Sequence, residues 1–459
     1  MRKRSLFTAL LAASALLLTG CGKKIVEVEP TYKVAKQPQI IEIADLNDAW
    51  DTILNNSTRE FIGGHPIDEA FLSMVTATYG ESVIEEIASY ANFTTPEIWF
   101  QCTGKSIHVL WYDYCQKTGL ESYSFDKTYV INKEPGEDIV MDFTGDLCLT
   151  DGVATTAYMD DQMNGINDCF SEDLLEEMRS ADLLMINNEF AFTSRGAALF
   201  GKAYTFRANP FRVAYLKEIG VDLVSVANNH VFDYDETGFL DTLQTLENAG
   251  IPYVGAGRNI EEAKKPVYYI VGGKKIAIVA ATQIERTLNY TKEATETTPG
   301  VLKCLYPEVF CKTIKMAKNN ADYVIVFPHW GTEGNANYGP DQVALARAFV
   351  EAGADVIIGG HTHCLQTVEF MDDVPIYYSL GNYWFSTTAN MPAEYKTAVA
   401  QVRINPEGRI DTYLIPCKFN AGVTSRLYSE DKTYSDIINS LNNLSHSAVI
   451  DDVGHITKK

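Results

Sequence analysis

The chain has 459 residues, with 38 Lys and Arg against 60 Asp and Glu, for a formal net charge of −22. Such acidity argues against nucleic acid or bare anionic membrane as a partner. It leaves room for an anionic substrate, because exposed charges are screened beyond about 8 Å at physiological salt.

Residues 1–20 read as a secretory signal. Arg2, Lys3 and Arg4 form a basic start, FTALLAASALLL is a short apolar stretch, and Leu18-Thr19-Gly20-Cys21 closes it. The stretch is too short, and too soon followed by polar residues, for a spanning helix. The Leu-Thr-Gly-Cys ending resembles a bacterial lipobox, in which the cysteine is lipidated and becomes the new N-terminus. Cys21 is therefore the expected lipidation site, and the chain is expected to be lipid-anchored on the extracytoplasmic face of a bacterial cell membrane. Residues 21–40 read as a polar tether. The other eight cysteines are too sparse for a disulfide framework, and the pairs Cys102 with Cys115 and Cys304 with Cys311 stay open.

Residues 41–130 read as a small helical region, since runs such as DEAFLSMVTATYGESVIEEIASYA space apolar residues by three and four. His65 and His108 fall here outside any ligand-like arrangement and read as ordinary surface or core histidines.

From Asp138 the texture changes. DIVMDFTG, ADLLMINN, VDLVSVANN, KKIAIVAAT, ADYVIVFPH and ADVIIGGH read as strands, separated by helical segments such as FSEDLLEEMRS and DQVALARAFVEAG. Their apolar runs predict strands covered on both faces, hence a layered α/β domain over 138–424. QTVEF, VPIYYSL and TAVAQVRI read as shorter strands of a partly antiparallel second sheet. Residues 425–459 read as a tail, either a peripheral helix or loose.

Five short motifs follow these strands in order: Thr144-Gly145-Asp146, Asn187-Asn188-Glu189, Ala227-Asn228-Asn229-His230 with Asp233, His329-Trp330-Gly331, and Gly359-Gly360-His361-Thr362-His363. Strand C-termini are where α/β sheets collect ligands. Carboxylates and neutral imidazoles gathered there make a transition-metal hydrolase site. Asn187 and Asn188 also suit plain turns. Trp330 and Trp384 read as packing, and Glu333 and Asn382 stay unassigned.

The order of these motifs resembles the CapA family, bacterial proteins tied to poly-gamma-glutamate capsule production, whose fold is similar to the calcineurin-like metallophosphatases. The likeness runs from about Asp138 to Asn420, through GDLCL, NNEFAFT, FRANP, VSVANNHVFDYDETGFLDTL, HWGTE, GADVIIGGHTH and IYYSLGNYWF. It implies an α/β fold, a layered metallophosphatase-like β-sandwich flanked by helices and preceded by the helical region. It also implies a residue-by-residue site. Glu189 would bridge two metals, Asn229, His329 and His361 would complete one site, and Asp146 and His363 would serve the other. One or two divalent transition-metal ions are expected, and nitrogen and oxygen donors suit manganese, iron or zinc. His230 would be the general acid and Asp233 its orienting partner. The chain departs from the metallophosphatase pattern at Cys148, where a histidine is usual, so the first metal could be weakly held. Gly360, Thr362 and Asp235 also depart, with an expected effect on loop shape.

Two functions follow. One is a surface-anchored metal-dependent hydrolase with a phosphoesterase-like site. The other is a non-catalytic accessory lipoprotein that binds or exports an anionic capsule polymer, with a capsule synthesis complex as a further partner.

Overall fold

The computed structural model describes residues 69–80, 82–89, 96–118, 127–285 and 289–459. The expected signal, the lipidation site Cys21, the tether and His65 lie outside the described residues. No helix among the described residues is long and apolar enough to cross a membrane.

Among the described residues four helices come first: α1 (Glu69–Tyr79), α2 (Ser82–Ser89), α3 (Pro96–Thr103) and α4 (Ile107–Thr118). Their buried faces meet around Phe71, Trp99, Trp111 and Tyr114, a cluster separate from the other cores. The unit is docked rather than tethered. The Ser106 amide donates to the Gly273 carbonyl at 2.8 Å, and the Lys274 ammonium sits 3.4 Å from the centre of the Phe100 ring.

The rest of the described residues forms two large sheets and two small two-stranded ones. The early strands are β1 (Thr128–Ile131), β2 (Ile139–Leu147), β3 (Leu183–Asn188), β4 (Ala191–Phe192), β5 (Arg207–Ala208), β6 (Leu223–Ser225), β7 (Tyr253–Val254) and β8 (Ala256–Gly257). The middle holds β9 (Val267–Val271), β10 (Lys274–Thr282), β11 (Gly300–Val301), β12 (Tyr323–His329), β13 (Val356–Ile358), β14 (Val368–Met371) and β15 (Val374–Tyr377). The end holds β16 (Asn382–Trp384), β17 (Tyr395–Ile404), β18 (Ile410–Asn420), β19 (Val423–Arg426), β20 (Ala448–Ile450) and β21 (His455–Lys458).

One sheet runs β1-β9-β10-β12-β13-β15-β14. The other runs β20-β21-β18-β17-β2-β3-β6-β7, with β16 against β2 and β19 against β18. The small sheets pair β4 with β5 and β8 with β11. Side-chain alternation explains the layering. On β10, Ile276, Ile278 and Ala280 face the core between the sheets, while Ala277, Val279 and Ala281 face an outer core with Phe310 and Phe349 from flanking helices. On β3, Leu183 and Met185 face inward, while Leu184 and Ile186 pack outward on helices. The result is a two-sheet sandwich flanked by helices, the expected α/β class.

One expectation needs correcting, and one open alternative is decided. β14 and β15 close the first sheet, with β15 parallel to β13 through Ile357 opposite Ile376. Only β17 of the three late strands joins the second sheet, pairing antiparallel with β2. Alternation marks a strand without saying which sheet takes it. Of the two alternatives for residues 425–459, the helix is the one found, though it is buried in the core and not peripheral. A helix over Lys432–Leu444 buries Tyr434, Ile437, Ile438 and Leu441 in the inter-sheet core, and β21 extends the second sheet by pairing with β18. Cys102, Cys115, Cys304 and Cys311 are all free thiols.

Candidate metal centre

The C-terminal ends of parallel strands from both sheets converge. Asp146 ends β2 and lies opposite both Asn187 of β3 and Asn382 of β16. Glu189 follows β3, and Asn228 to His230 follow β6. From the other sheet, His329 ends β12 and bridges to Gly360 just past β13, which brings in His361 and His363.

Close approach is built into the glycines. A side chain at Gly145 would place its Cβ 1.9 Å from the Gly381 carbonyl oxygen, and one at Gly360 would come 2.9 Å from Asp146 Oδ1. Gly360 therefore makes room for a candidate ligand, a tighter role than the loop shaping expected of it. His361 and His363 hold φ values of 93° and 57°, a region that non-glycine residues rarely enter and that functional sites concentrate. Asp235, where the family tends to have glycine, has φ 58°. Its carboxylate accepts from the Ala197 and Thr237 amides, which supports the turn.

Two groups of side chains each offer three ligand atoms within 4.8 Å of one another: Glu189, His329 and His361, and Asp146, Glu189 and His363. Glu189 belongs to both. In the first, His329 Nε2 lies 2.7 Å from Asn229 Oδ1, 3.1 Å from His361 Nδ1 and 3.6 Å from Glu189 Oε1. In the second, His363 Nδ1 lies 3.4 Å from Asp146 Oδ2. Asn382 Oδ1 lies 2.7 Å from that same nitrogen, which gives the unassigned Asn382 a place beside His363.

The donor set fits a divalent ion. Glu189 is wholly buried and its Oε1 has no hydrogen-bond partner, a costly state for a carboxylate unless a cation completes it. Burial and the neighbouring Asp146 carboxylate push the Glu189 carboxyl well above its usual range. Burial works the same way on Asp146, but its hydrogen bond to His363 and the charge there prevail and hold it low. Burial, with the nearby imidazoles, drives His329 and His361 well below the usual histidine range, so both present lone pairs. The structure thus contains a buried His and Glu cluster able to coordinate a divalent metal ion.

Cys148 stands apart. Its thiol is buried, contacts Thr150 Oγ1 at 3.0 Å, and is pushed up to about 12, chiefly by burial. It packs in the outer core with Leu147 and Leu149 and belongs to neither ligand group. Trp330 and Trp384 are also buried packing residues, their ring nitrogens donating to the Tyr378 and Gly422 carbonyls.

Beside the ligand groups, His230 Nδ1 lies 2.7 Å from Asp233 Oδ2. Burial lowers the His230 imidazole, and the Asp233 carboxylate opposes that. Asn187 and Asn228 do more than turn the chain. The Asn187 amide reaches Asp146 Oδ1 at 2.8 Å, Glu189 Oε2 at 3.3 Å and His329 Nδ1 at 3.3 Å. Asn228 Oδ1 accepts from the His230 and Val231 amides, and its own amide reaches Asn187 Oδ1. The doubled asparagines in both motifs were the visible signal. Lys202, by contrast, carried none, yet its ammonium contacts Asp233 Oδ1 at 2.5 Å and donates to the Asn229 carbonyl.

This geometry defines a class: an α/β two-sheet protein with a candidate metal centre at its strand ends. The sequence family described as bacterial capsule synthesis protein PGA_cap matches residues 140–387, more than half of the chain, and the chain belongs to that family. It is 36% identical over 229 residues to the capsule biosynthesis protein CapA of Bacillus anthracis, covering 47% of this chain and 53% of that one. It is 35% identical over 211 residues to the PGA biosynthesis protein CapA of Bacillus subtilis (strain 168), covering 46% of this chain and 54% of that one. The chain thus spans about half the length of the curated relatives it matches. Among solved structures it is similar to the calcineurin-like phosphoesterase YfkN from Bacillus subtilis, with 17% identity, a TM-score of 0.33, and 63% of this chain and 88% of that one covered.

Proposed function

We propose that the chain is a metal-dependent phosphoester hydrolase, lipid-anchored through Cys21 on the outer face of the membrane, and that it serves capsule or surface poly-gamma-glutamate production. The observation that carries the hydrolytic part is the unpartnered Glu189 Oε1, buried among His329 and His361 and shared with the Asp146 and His363 group. Asp146, Glu189, Asn229, His329, His361 and His363 would hold one or two divalent ions, manganese, iron or zinc. Such ions supply Lewis-acid polarisation of a phosphoryl oxygen and a water nucleophile at neutral pH.

The protein's own residues supply the rest. Asp233 accepts from Nδ1 of His230 and favours the protonated ring, and that imidazolium would give its Nε2 proton to the leaving oxygen. Asn382 holds the ring of His363, and Asn187 spaces the two carboxylates. The Phe206 ring, 4.4 Å from the His230 imidazole between centroids, limits its rotation.

The test is hydrolysis of bis(p-nitrophenyl) phosphate by the chain purified without its leader and supplied with each ion. His230→Ala and His361→Ala should each abolish turnover with the fold retained. Turnover that survives either change refutes the assignment.

A second reading has its own motivation in Cys148, which packs in the outer core at the position where the metallophosphatase pattern usually has a histidine. On that reading the chain is an accessory protein that grips a polyanionic capsule polymer through a metal. Metal-dependent retention of purified polyglutamate, with no phosphoester turnover, would favour it.

A further inference from the structure

Lys202 sits in the connection between β4 and β5, a stretch that is otherwise largely exposed. Phe200 is fully exposed two residues before it, and Tyr204 is half exposed two residues after. The Lys202 side chain turns the other way and is only 8% exposed. Its ammonium reaches three oxygens. They are Asp233 Oδ1 at 2.5 Å, the Asn229 carbonyl, and Glu285 Oε1 at 3.7 Å.

Two of these contacts lie on the working parts of the candidate site. Asp233 is wholly buried, and its other oxygen takes the Phe206 amide at 2.6 Å and His230 Nδ1 at 2.7 Å. A carboxylate can rotate about its terminal bond. With Oδ1 held by Lys202, Oδ2 is kept turned towards His230. Asn229 is held at both ends. Its carbonyl takes Lys202 and the Thr291 hydroxyl, the latter at 3.0 Å, and its side-chain Oδ1 faces His329. One ammonium, with three donors and no acceptor, therefore links the partner of His230 to the backbone of a candidate metal ligand. Burying that charge is costly, and an apolar side chain would fill the space more cheaply. The same loop is stitched down by the Leu199 amide on the Asp233 carbonyl at 2.9 Å, so holding the loop does not by itself call for a lysine.

We propose that Lys202 is a positioning residue that locks the Asp233 carboxylate and the Asn229 carbonyl together, and so fixes the tautomer and orientation of His230. Its effect on turnover rests on the phosphoesterase reading, whereas its effect on His230 does not.

Two measurements separate these. In metal-free protein labelled with 15N-histidine, the hydrogen-bonded Nδ1 proton of His230 should give a downfield resonance, assigned by its loss in His230→Gln. Lys202→Met should abolish or shift that resonance as Asp233→Asn does, and Lys202→Arg should restore it. With manganese and bis(p-nitrophenyl) phosphate, Lys202→Met should lower kcat about 10–100-fold with KM and metal content unchanged, and Lys202→Arg should recover most of the loss. An unaltered His230 resonance in Lys202→Met overturns the proposal, including where the variant has only lost thermal stability. If Lys202→Met does not fold, Lys202→Gln takes its place under the same criterion. A wild-type protein with no turnover counts against the hydrolase reading, and the resonance comparison still decides the role of Lys202.

Discussion

His108 gives the helical unit a predictable sensitivity to acid. It lies on α4, only 6% exposed, against the strand that opens at Tyr323. Burial pushes its imidazole down to about 3, helped by the positive charges of Lys275 and Lys318. The nearest carboxylate, Asp322, is 3.9 Å away, outside hydrogen-bond reach, and burial pushes its own ionisation up to about 6. Asp322 therefore does not hold His108 charged. Lys274 also faces Asp322, and burial lowers both it and Lys275, the latter to about 7.

A folded-state value below the unfolded 6.5 means stability that is present above pH 6.5 and lost as the pH falls towards 3. Between pH 7.5 and pH 5.0 this linkage removes about 2 kcal/mol, out of roughly 5 kcal/mol available at full protonation. Asp322 acts with the opposite sign, because its raised value favours the fold as the pH drops through 6. The clean quantity is therefore a difference. His108→Gln should cancel only the histidine part, and any fixed cost of the substitution drops out between the two pH values. The assay is native-state hydrogen exchange of the Ile107–Thr118 helix, corrected for intrinsic rates. The wild-type opening free energy should fall by about 2 kcal/mol more than that of the variant. Equal pH dependence in the two proteins would refute a buried neutral His108.

Gly360→Ala places a Cβ against Asp146 Oδ1 and should cost about 1–3 kcal/mol in thermal unfolding, with weaker metal binding by titration calorimetry. Manganese or zinc at about 100 times its Kd should stabilise the protein by about 2.7 kcal/mol. His361→Ala should remove that gain, and an equal gain in the variant would place the ion elsewhere. Cys148→Ala should leave the bound metal unchanged by elemental analysis, and a lost ion would make the thiol a ligand. Trp99→Ala opens a cavity in the separate helical core and should cost that unit about 3–5 kcal/mol, read as faster exchange in α1 to α4 with metal content intact.

The candidate ligands lie at or a few residues past the ends of apolar runs that read as strands, and the likeness to the CapA family is what gave each of them a role. Asp146 and His361 meet across 215 positions of sequence, yet each announces itself locally. Sheet membership was not legible in this way. β15 and β17 carry similar apolar patterns and go to different sheets, a choice made by pairing partners far along the chain. The last 35 residues left two alternatives open for a related reason, since the helix over Lys432–Leu444 is settled by burial of its apolar face in the inter-sheet core.

Lys202 shows where local reading stops. It lies in a stretch without periodicity, between exposed Phe200 and Tyr204, and nothing in the letters Gly-Lys-Ala distinguishes it from a surface lysine. Only the turn of the chain that lays this loop over Asp233 and Asn229, 31 and 27 residues on, gives the ammonium its partners. Ligands must be of a particular chemical type at a strand end, so the sequence displays them. A residue that holds a ligand's neighbour needs only reach and charge, and many positions on many loops could supply those. The candidate ligands are accordingly proposed from sequence, and the neighbours that hold them come only from the structure.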